Sequence, residues 1–496
     1  MEKKDKRDFD IAKYEPKEIL KHFANLSKYP RVTYNHDQIA PYLYDFFKER
    51  STNIKMDKAF NIVACKKATK GYENKPGICL QAHYDMVYDC YKEYAHNKDT
   101  DPIRPYVKDG WLKSEGTTLG ADDGIGVAMI MEIFDNDEIE HGPIWAMLTA
   151  DEEVGCIGAN RMDKNMTTAK YLVSLDAGRI DNIYYGSGCG RGFASTIQIK
   201  YIPLKKTDVV YEISIESLMG GHSGLEIHKK RANAAVVLAD FIQELSKTMH
   251  INIINIKVGI APNAIPSSGK VVIAFDEKDA EDFVVQMEIM ISKFNEAFAN
   301  YEQSSIINYE QSKEVYTEKI SNDDTKRILH SILLLPNGMI YYSPDFEASL
   351  LSGNIGMVSI KDNNYSIVWS TRALYNYDLD LNYQKALTAA KLIGFKKFED
   401  VNVYSGWVPN KGKFYNTYKK LIEKNLGKEV KDFIATSVGL EVGAIIKNNK
   451  SIVEAISIGP DLEDTHVYGE KMDLKSLQAL WKSVKELVSF YENTHN

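Results

Sequence analysis

The sequence predicts an α/β fold: a mostly parallel sheet flanked by helices, with an α+β domain inserted into it. Three observations carry that expectation. Apolar runs of strand length alternate with helical repeats through the first third of the chain; from about residue 190 antiparallel-looking strands interleave with helices; the C-terminal stretch returns to the first pattern. Helices alternating with buried strands imply parallel strands covered on both faces, and such sheets bind ligands beyond the carboxyl ends of their strands.

Taken in order, "PKEILKHFANLS" puts Ile19, Phe23 and Leu26 on one helical face. "GICLQAHYDMV" sets Ile78, Leu80 and Ala82 on one side of a strand, at period two. "GIGVAMIMEIF" is apolar nearly all round, as a helix packed under a sheet would be. "GPIWAMLTA" and "AKYLVSLDAG" are two further strands, so residues 1–189 read as the first part of a catalytic domain. Residues 190–403 read as the insert. There "DVVYEISIES", "RANAAVVLADFIQELS", "INIINIKVGI", "KVVIAFD" and "AEDFVVQMEIMISKFNEAF" give strand, helix, strand, strand, helix, and "DDTKRILHSILLLP", "MVSIKDNNYSIVWSTR" and "NYQKALTAAKLIGF" a similar set. That is room for two split βαβ halves. Residues 404–496 complete the first domain with the helix "KGKFYNTYKKLIEKNLG", the strand "SIVEAISIGP" and the helix "LKSLQALWKSVKELVSFY".

Composition narrows the function classes. The 496 residues exceed one ordinary core, and 44% hydrophobic with 26% charged residues is globular composition. A net charge of -8 offers no footprint for nucleic acid or anionic lipid, which leaves small molecules or proteins as partners. The charged start "MEKKDKRDFD" lacks the apolar region of a signal peptide, and no run approaches the roughly 18 to 20 apolar residues of a membrane span. Five cysteines (Cys65, Cys79, Cys90, Cys156, Cys189) without zinc-finger spacing read as reduced thiols of a cytoplasmic protein. "GSGCGRG" misses the dinucleotide spacing and no helix follows it.

The chemistry gathers at strand ends. His83 and Asp85 follow one strand, Asp151, Glu152 and Glu153 a second, Asp176 a third, while Asp122 lies in "TTLGADDGIG" and His466 in "SIGPDLEDTHVYGE". Taken singly, each has a simpler explanation: a hydrogen-bonded core pair, a helix cap at Asp122, a turn at Asp176, a solvated acidic turn at 151–153. Their joint placement points elsewhere. Imidazoles and carboxylates without thiols suit zinc, manganese or cobalt. Two such ions about 3.5 to 4 Å apart, bridged by one carboxylate, would clamp a hydroxide and a polarised carbonyl oxygen. Asp122, Glu153 and Asp176 with one hydroxide would balance the charge of two divalent ions.

The motifs "QAHYDMV", "GTTLGADDGIG", "TADEEVGCIGA", "GGHSGLEIH", "PNAIPSSG", "GLEVG" and "SIGPDLEDTH", in this order, resemble the bacterial aminoacyl-histidine dipeptidases of the peptidase D type, from about residue 15 to the C-terminus. These belong to a superfamily of dinuclear zinc peptidases and deacylases that includes carnosinases and aminoacylases. The resemblance implies a zinc-peptidase-like fold with a lid, and hydrolysis of Xaa-His and other unblocked dipeptides by a metal-bound hydroxide. It makes Asp122 the ligand bridging two divalent ions, zinc first and manganese or cobalt next. His83 and Asp176 complete one site, Glu153 and His466 the other. Asp85 orients the His83 ring and Glu152 is the general base. His222 stabilises the oxyanion, and Asn263 and Arg372 grip the substrate carboxylate.

Departures from the family pattern touch pocket shape. Asp123 stands where many relatives carry asparagine, often at a non-proline cis peptide, and "TSVGLEVG" lacks the histidine and cysteine of "HAGLECG". No role follows for Asp123, Asp151 or His228. Substrate preference stays open between dipeptidase and an aminoacylase, tripeptidase or other deacylase, and a non-catalytic binding protein would be expected to have lost ligands. The chain is expected to be a monomer or homodimer with His222 acting in cis.

Overall fold

The computed structural model describes residues 7–435 and 439–489. These form two compact units, one drawing on Met1–Ser187, Trp407–Ala435 and Leu440–Asn496, the other on Gly188–Gly406. Thr436, Ser437 and Val438 of "TSVGLEVG", the first residues of "MEKKDKRDFD", and Phe490 and Tyr491 of the closing helical run lie outside the described residues.

The first unit is built on an eight-stranded sheet, in the order 53–56, 62–66, 144–149, 78–83, 171–174, 454–457, 182–187, 431–435. Its centre is parallel, from 144–149 through 78–83 and 171–174 to 454–457. The sheet is mostly parallel, as expected, with Lys431–Ala435 also parallel to Asn182–Ser187 at one margin, and antiparallel pairs joining it elsewhere. Asn53–Met56 and Ile62–Lys66 form an antiparallel hairpin that docks antiparallel on Ile144–Thr149, and Glu454–Ser457 meets Asn182–Ser187 antiparallel. A short turn can join only antiparallel neighbours.

Both faces are covered. Ile78, Leu80 and Ala82 pack with Ile19, Phe23 and Leu26 of helix Lys17–Leu26, with helix Ala121–Asp135 and with Leu477, Leu480 and Val484 of helix Leu474–Val488. Cys79, from the other side of the same strand, joins Met147, Leu172, Val442 and Ile445 in a separate core. Burying an aliphatic side chain of this size contributes about 1.5–3 kcal/mol, so the central strand is anchored from both sides. All five cysteines are free thiols. Ser187 and Trp407 exchange two backbone hydrogen bonds, Ser187 N–H to Trp407 O at 2.9 Å and Trp407 N–H to Ser187 O at 3.0 Å.

The second unit is organised round one nine-stranded antiparallel sheet. The two expected halves are continuous, because Asn252–Val258 pairs with the fourteen-residue strand Ala348–Lys361 through Lys257–Ser359 and Val358–Val258. Helices Ala234–Leu245, Ala280–Phe298, Asn322–Leu334 and Asn376–Ile393 contribute to a single core with it. Among the described residues, no helix of the chain is long and apolar enough to cross a membrane.

Candidate metal centre

Three parallel strands end at one edge of the first sheet. His83 closes Ile78–His83, Glu152 and Glu153 follow Ile144–Thr149, and Asp176 lies just beyond Tyr171–Ser174. Asp122 enters from the first turn of helix Ala121–Asp135, whose Asp122–Asp123 peptide is cis. His466 comes from the loop between Leu462–Glu463 and Lys471–Asp473, with a left-handed backbone at φ 68°.

The Asp122 carboxylate faces two imidazoles at once. Its Oδ1 lies 3.1 Å from His83 Nε2 and its Oδ2 3.1 Å from His466 Nε2. His83 Nε2 is also 3.7 Å from Asp176 Oδ1, and His466 Nε2 is 3.0 Å from Glu153 Oε2. The polar atoms thus fall into two groups, one with His83 and Asp176 and one with His466 and Glu153, sharing Asp122.

Charge is crowded here. Burial opposes protonation of His83, yet Asp122, Asp176 and Asp85 raise it well above the usual imidazole range. Asp122 and Glu153 push His466 up to about 10. Asp122, despite burial, is held far below the carboxylate range by His466 and His83. Burial pushes Asp176 up to about 8, with Asp122 and Glu152 adding to it against His83, and burial raises Glu152 as well, helped by Glu153. So many carboxylates against two imidazoles leave negative charge that a cation would relieve. The donor set fits divalent ions: nitrogen and oxygen only, with His83, Asp122 and Glu153 offering ligand atoms within 4.8 Å of one another. Glu153 Oε1 is moreover buried without a hydrogen-bond partner among the described residues.

The supporting contacts differ from expectation at Asp85. The His83 Nδ1 atom is 3.1 Å from the Asp85 backbone oxygen and 3.6 Å from its carboxylate. The carboxylate accepts instead from the Glu152 amide (3.1 Å), the Glu153 amide (3.4 Å) and Thr33 Oγ1 (2.9 Å). Asp85 therefore ties two strand ends together. Asp151 is no solvated turn: at φ 51°, it accepts from the Tyr34 amide at 2.8 Å and lies 3.2 Å from His36 Nε2. Asp123 is buried, accepts from the Gly126 amide at 3.2 Å, and is held well above the carboxylate range by burial and Asp176.

Sequence reasoning passed over three residues. Glu470 accepts from the backbone amides of Leu119, Gly120, Ala121 and Asp122 at 2.8–3.3 Å, which fixes the turn that presents Asp122. Arg31 donates to the carbonyls of Tyr84 (3.1 Å) and Gly120 (2.5 Å), joining the His83 strand end to the same turn. Glu441 is buried and accepts from Gln81 Nε2 (2.6 Å) and Thr149 Oγ1 (2.7 Å) beneath the strand ends. Glu470 follows His466 by four residues in a motif already marked, which was a usable signal. Arg31 gave none.

The second unit places its own candidates. His222 sits in the short strand Gly221–His222, paired with Ala264–Ile265, and the Ser223 amide donates to Asn263 O at 2.9 Å. Gly221 has φ 113°, a backbone conformation in which a side chain would be strained, so glycine suits the turn that presents His222. His222 Nδ1 accepts from the Gly224 and Leu225 amides, each at 3.2 Å. Burial and the Arg372 charge lower its pKa, so the ring is neutral and carries its proton on Nε2. Arg372 is buried and donates to Tyr404 Oη at 2.6 Å. Asn263 is exposed, and His228 is half-buried.

The chain is similar to known proteins over nearly its whole length. The sequence pattern of peptidase family M20/M25/M40 matches residues 79–490. The chain is 29% identical over 492 residues to the cytosol non-specific dipeptidase of Escherichia coli (strain K12), covering 97% of this chain and 98% of that one. Its fold is similar to the crystal structure of aminoacylhistidine dipeptidase from Vibrio alginolyticus, with a TM-score of 0.90 and 25% identity over 97% of this chain and 98% of that one. A weaker likeness, of fold alone, is to aminopeptidase PepT from Bacillus cereus, with a TM-score of 0.54 and 18% identity over 95% of this chain and 97% of that one.

Proposed function

Because the chain belongs to peptidase family M20/M25/M40, we propose that it is a cytoplasmic metal-dependent dipeptidase acting on small unblocked dipeptides, Xaa-His among them. The observation that carries this is the Asp122 carboxylate with an imidazole 3.1 Å from each oxygen, a bridge between two divalent-ion sites. His83 and Asp176 complete one site, His466 and Glu153 the other, and zinc is the preferred ion. Bound there, two divalent ions would polarise the scissile carbonyl and bring the pKa of a water near neutrality.

The chain's own groups do the rest. Glu152, next to a ligand in sequence and raised above the usual carboxylate range by burial, takes the water's proton and hands it to the leaving amine. Asp85 holds Glu152 in place through its amide. His222, neutral with its proton on Nε2, donates to the oxyanion. Arg372 and Asn263 grip the substrate carboxylate, where a guanidinium can bind bidentately.

The deciding experiment offers dipeptides, an N-acetylated amino acid and a tripeptide to the parent and to Glu152→Ala, with metal content measured for both. Dipeptide turnover by the parent, with Glu152→Ala keeping metal and losing turnover, supports the assignment. Turnover of only the acetylated substrate or the tripeptide would make it a deacylase or tripeptidase. No turnover after reconstitution with zinc, manganese or cobalt would make it a binding protein.

A further inference from the structure

Helix Ala121–Asp135 carries Asp122 at one end and a second set of donors at the other, about 15 Å along its axis. Glu132 and Asp135, one turn apart, face His22 on helix Lys17–Leu26. His22 Nε2 is 3.2 Å from Glu132 Oε2 and 3.7 Å from Asp135 Oδ2, and the three donors lie within 4.8 Å of one another. Donors about 2.0–2.1 Å from a tetrahedral ion stand about 3.4 Å apart, and the two measured separations bracket that value.

The groups behind the donors hold them in this pose. Asn136 Nδ2 donates to Glu132 Oε1 at 3.0 Å and Arg50 Nε to Asp135 Oδ1 at 2.8 Å, so each carboxylate has one oxygen engaged and turns the other towards the imidazole. Outer partners orient metal-ligating carboxylates in this way. His22 is 6% and Glu132 8% exposed, while the Asp135 side chain is 41% exposed, which leaves one side open for an ion and its water to enter. Two carboxylates in the last turn of a helix also stand at the negative end of its dipole, where anions are disfavoured and a cation is favoured. Lys66 is already engaged with the carbonyls of Ile133, Phe134 and Asn136.

We propose that His22, Glu132 and Asp135 bind a further divalent ion of the zinc, manganese or cobalt class, separate from the catalytic centre, which clamps helix Lys17–Leu26 to the end of helix Ala121–Asp135. The donors are nitrogen and oxygen without thiolate, as such ions accept. The metal-free full-length chain is titrated with Zn2+ against a chromophoric chelator, and melting is followed with and without Zn2+. The parent takes up one ion more per chain than Asp135→Asn or His22→Gln, and part of its zinc-dependent rise in Tm is lost in both variants while their dipeptide turnover is retained. Asp135→Asn changes a partly exposed side chain, so it decides the matter even where His22→Gln fails to fold. Equal uptake by parent and variants, or a deficit that appears only together with lost turnover, overturns the proposal.

Discussion

The two units hold their polar residues by different means. In the first, the candidate ligands are fixed by buried groups that bind backbone: Glu470 accepts from four consecutive amides, Asp85 accepts from two, and Arg31 donates to three carbonyls. In the second, His222 rests on two amides of its own loop, Arg372 donates to a tyrosine hydroxyl, and Asn263 is exposed. The difference follows from the tasks proposed. Ligands must be held within about 0.5 Å of their working geometry; a donor that meets its partner only when substrate is present needs chiefly its tautomer fixed.

Substitutions in each unit can break or sharpen this contrast. The largest effect is expected at Glu152→Gln, which should lower turnover by about 10²–10⁴-fold with metal content unchanged, as steady-state kinetics with metal analysis would read. His222→Ala should cost about 10²–10³-fold in kcat, again with full metal content; loss of metal there would show that the units are not separate in function. In the second unit the buried Lys319–Asp208 pair, at 2.7 Å, makes a control for stability. Lys319→Met strands a buried carboxylate and should destabilise by about 3–5 kcal/mol in denaturant unfolding, while metal affinity is unmoved. Glu470→Gln should do both, weakening metal binding by about 10-fold in chelator competition and lowering stability, because its amide nitrogen would face two backbone N–H groups that the carboxylate now accepts.

The smallest effect concerns pH at the margin of the first sheet. Burial would raise Asp432, but Lys411, Lys419 and Tyr415 hold it at about 2. Its folded pKa lies below the unfolded value of about 3.9, so its contribution to stability is present above about pH 4 and is lost as pH falls towards 2. Asp432→Asn should flatten the pH dependence of Tm in that window alone.

What could be read from the sequence depended on distance along the chain. His83, Asp122, Glu153 and Asp176 were legible because each stands at the end of a patterned element and the pattern places those ends together. Glu470 was not, since its partners lie about 350 positions away and exist as an acceptor's target only once the turn at Gly120 has formed. Asp85 was half legible: its closeness to His83 followed from spacing, whereas its hold on the Glu152 and Glu153 amides depends on two strands lying side by side. The continuous sheet of the second unit escaped for the same reason, as the join between its halves is two residue pairs in sequences with no special signal.

The chain leaves the first unit at Ser187 and rejoins it at Trp407, two residues already bonded to each other. Such a doorway is a graft point. The gene segment between can be lengthened, shortened or exchanged while the strands on either side keep their register, as insertions at closely spaced ends are tolerated. Residues proposed to read the substrate can then diversify at one pace, and those proposed to bind metal be held still at another.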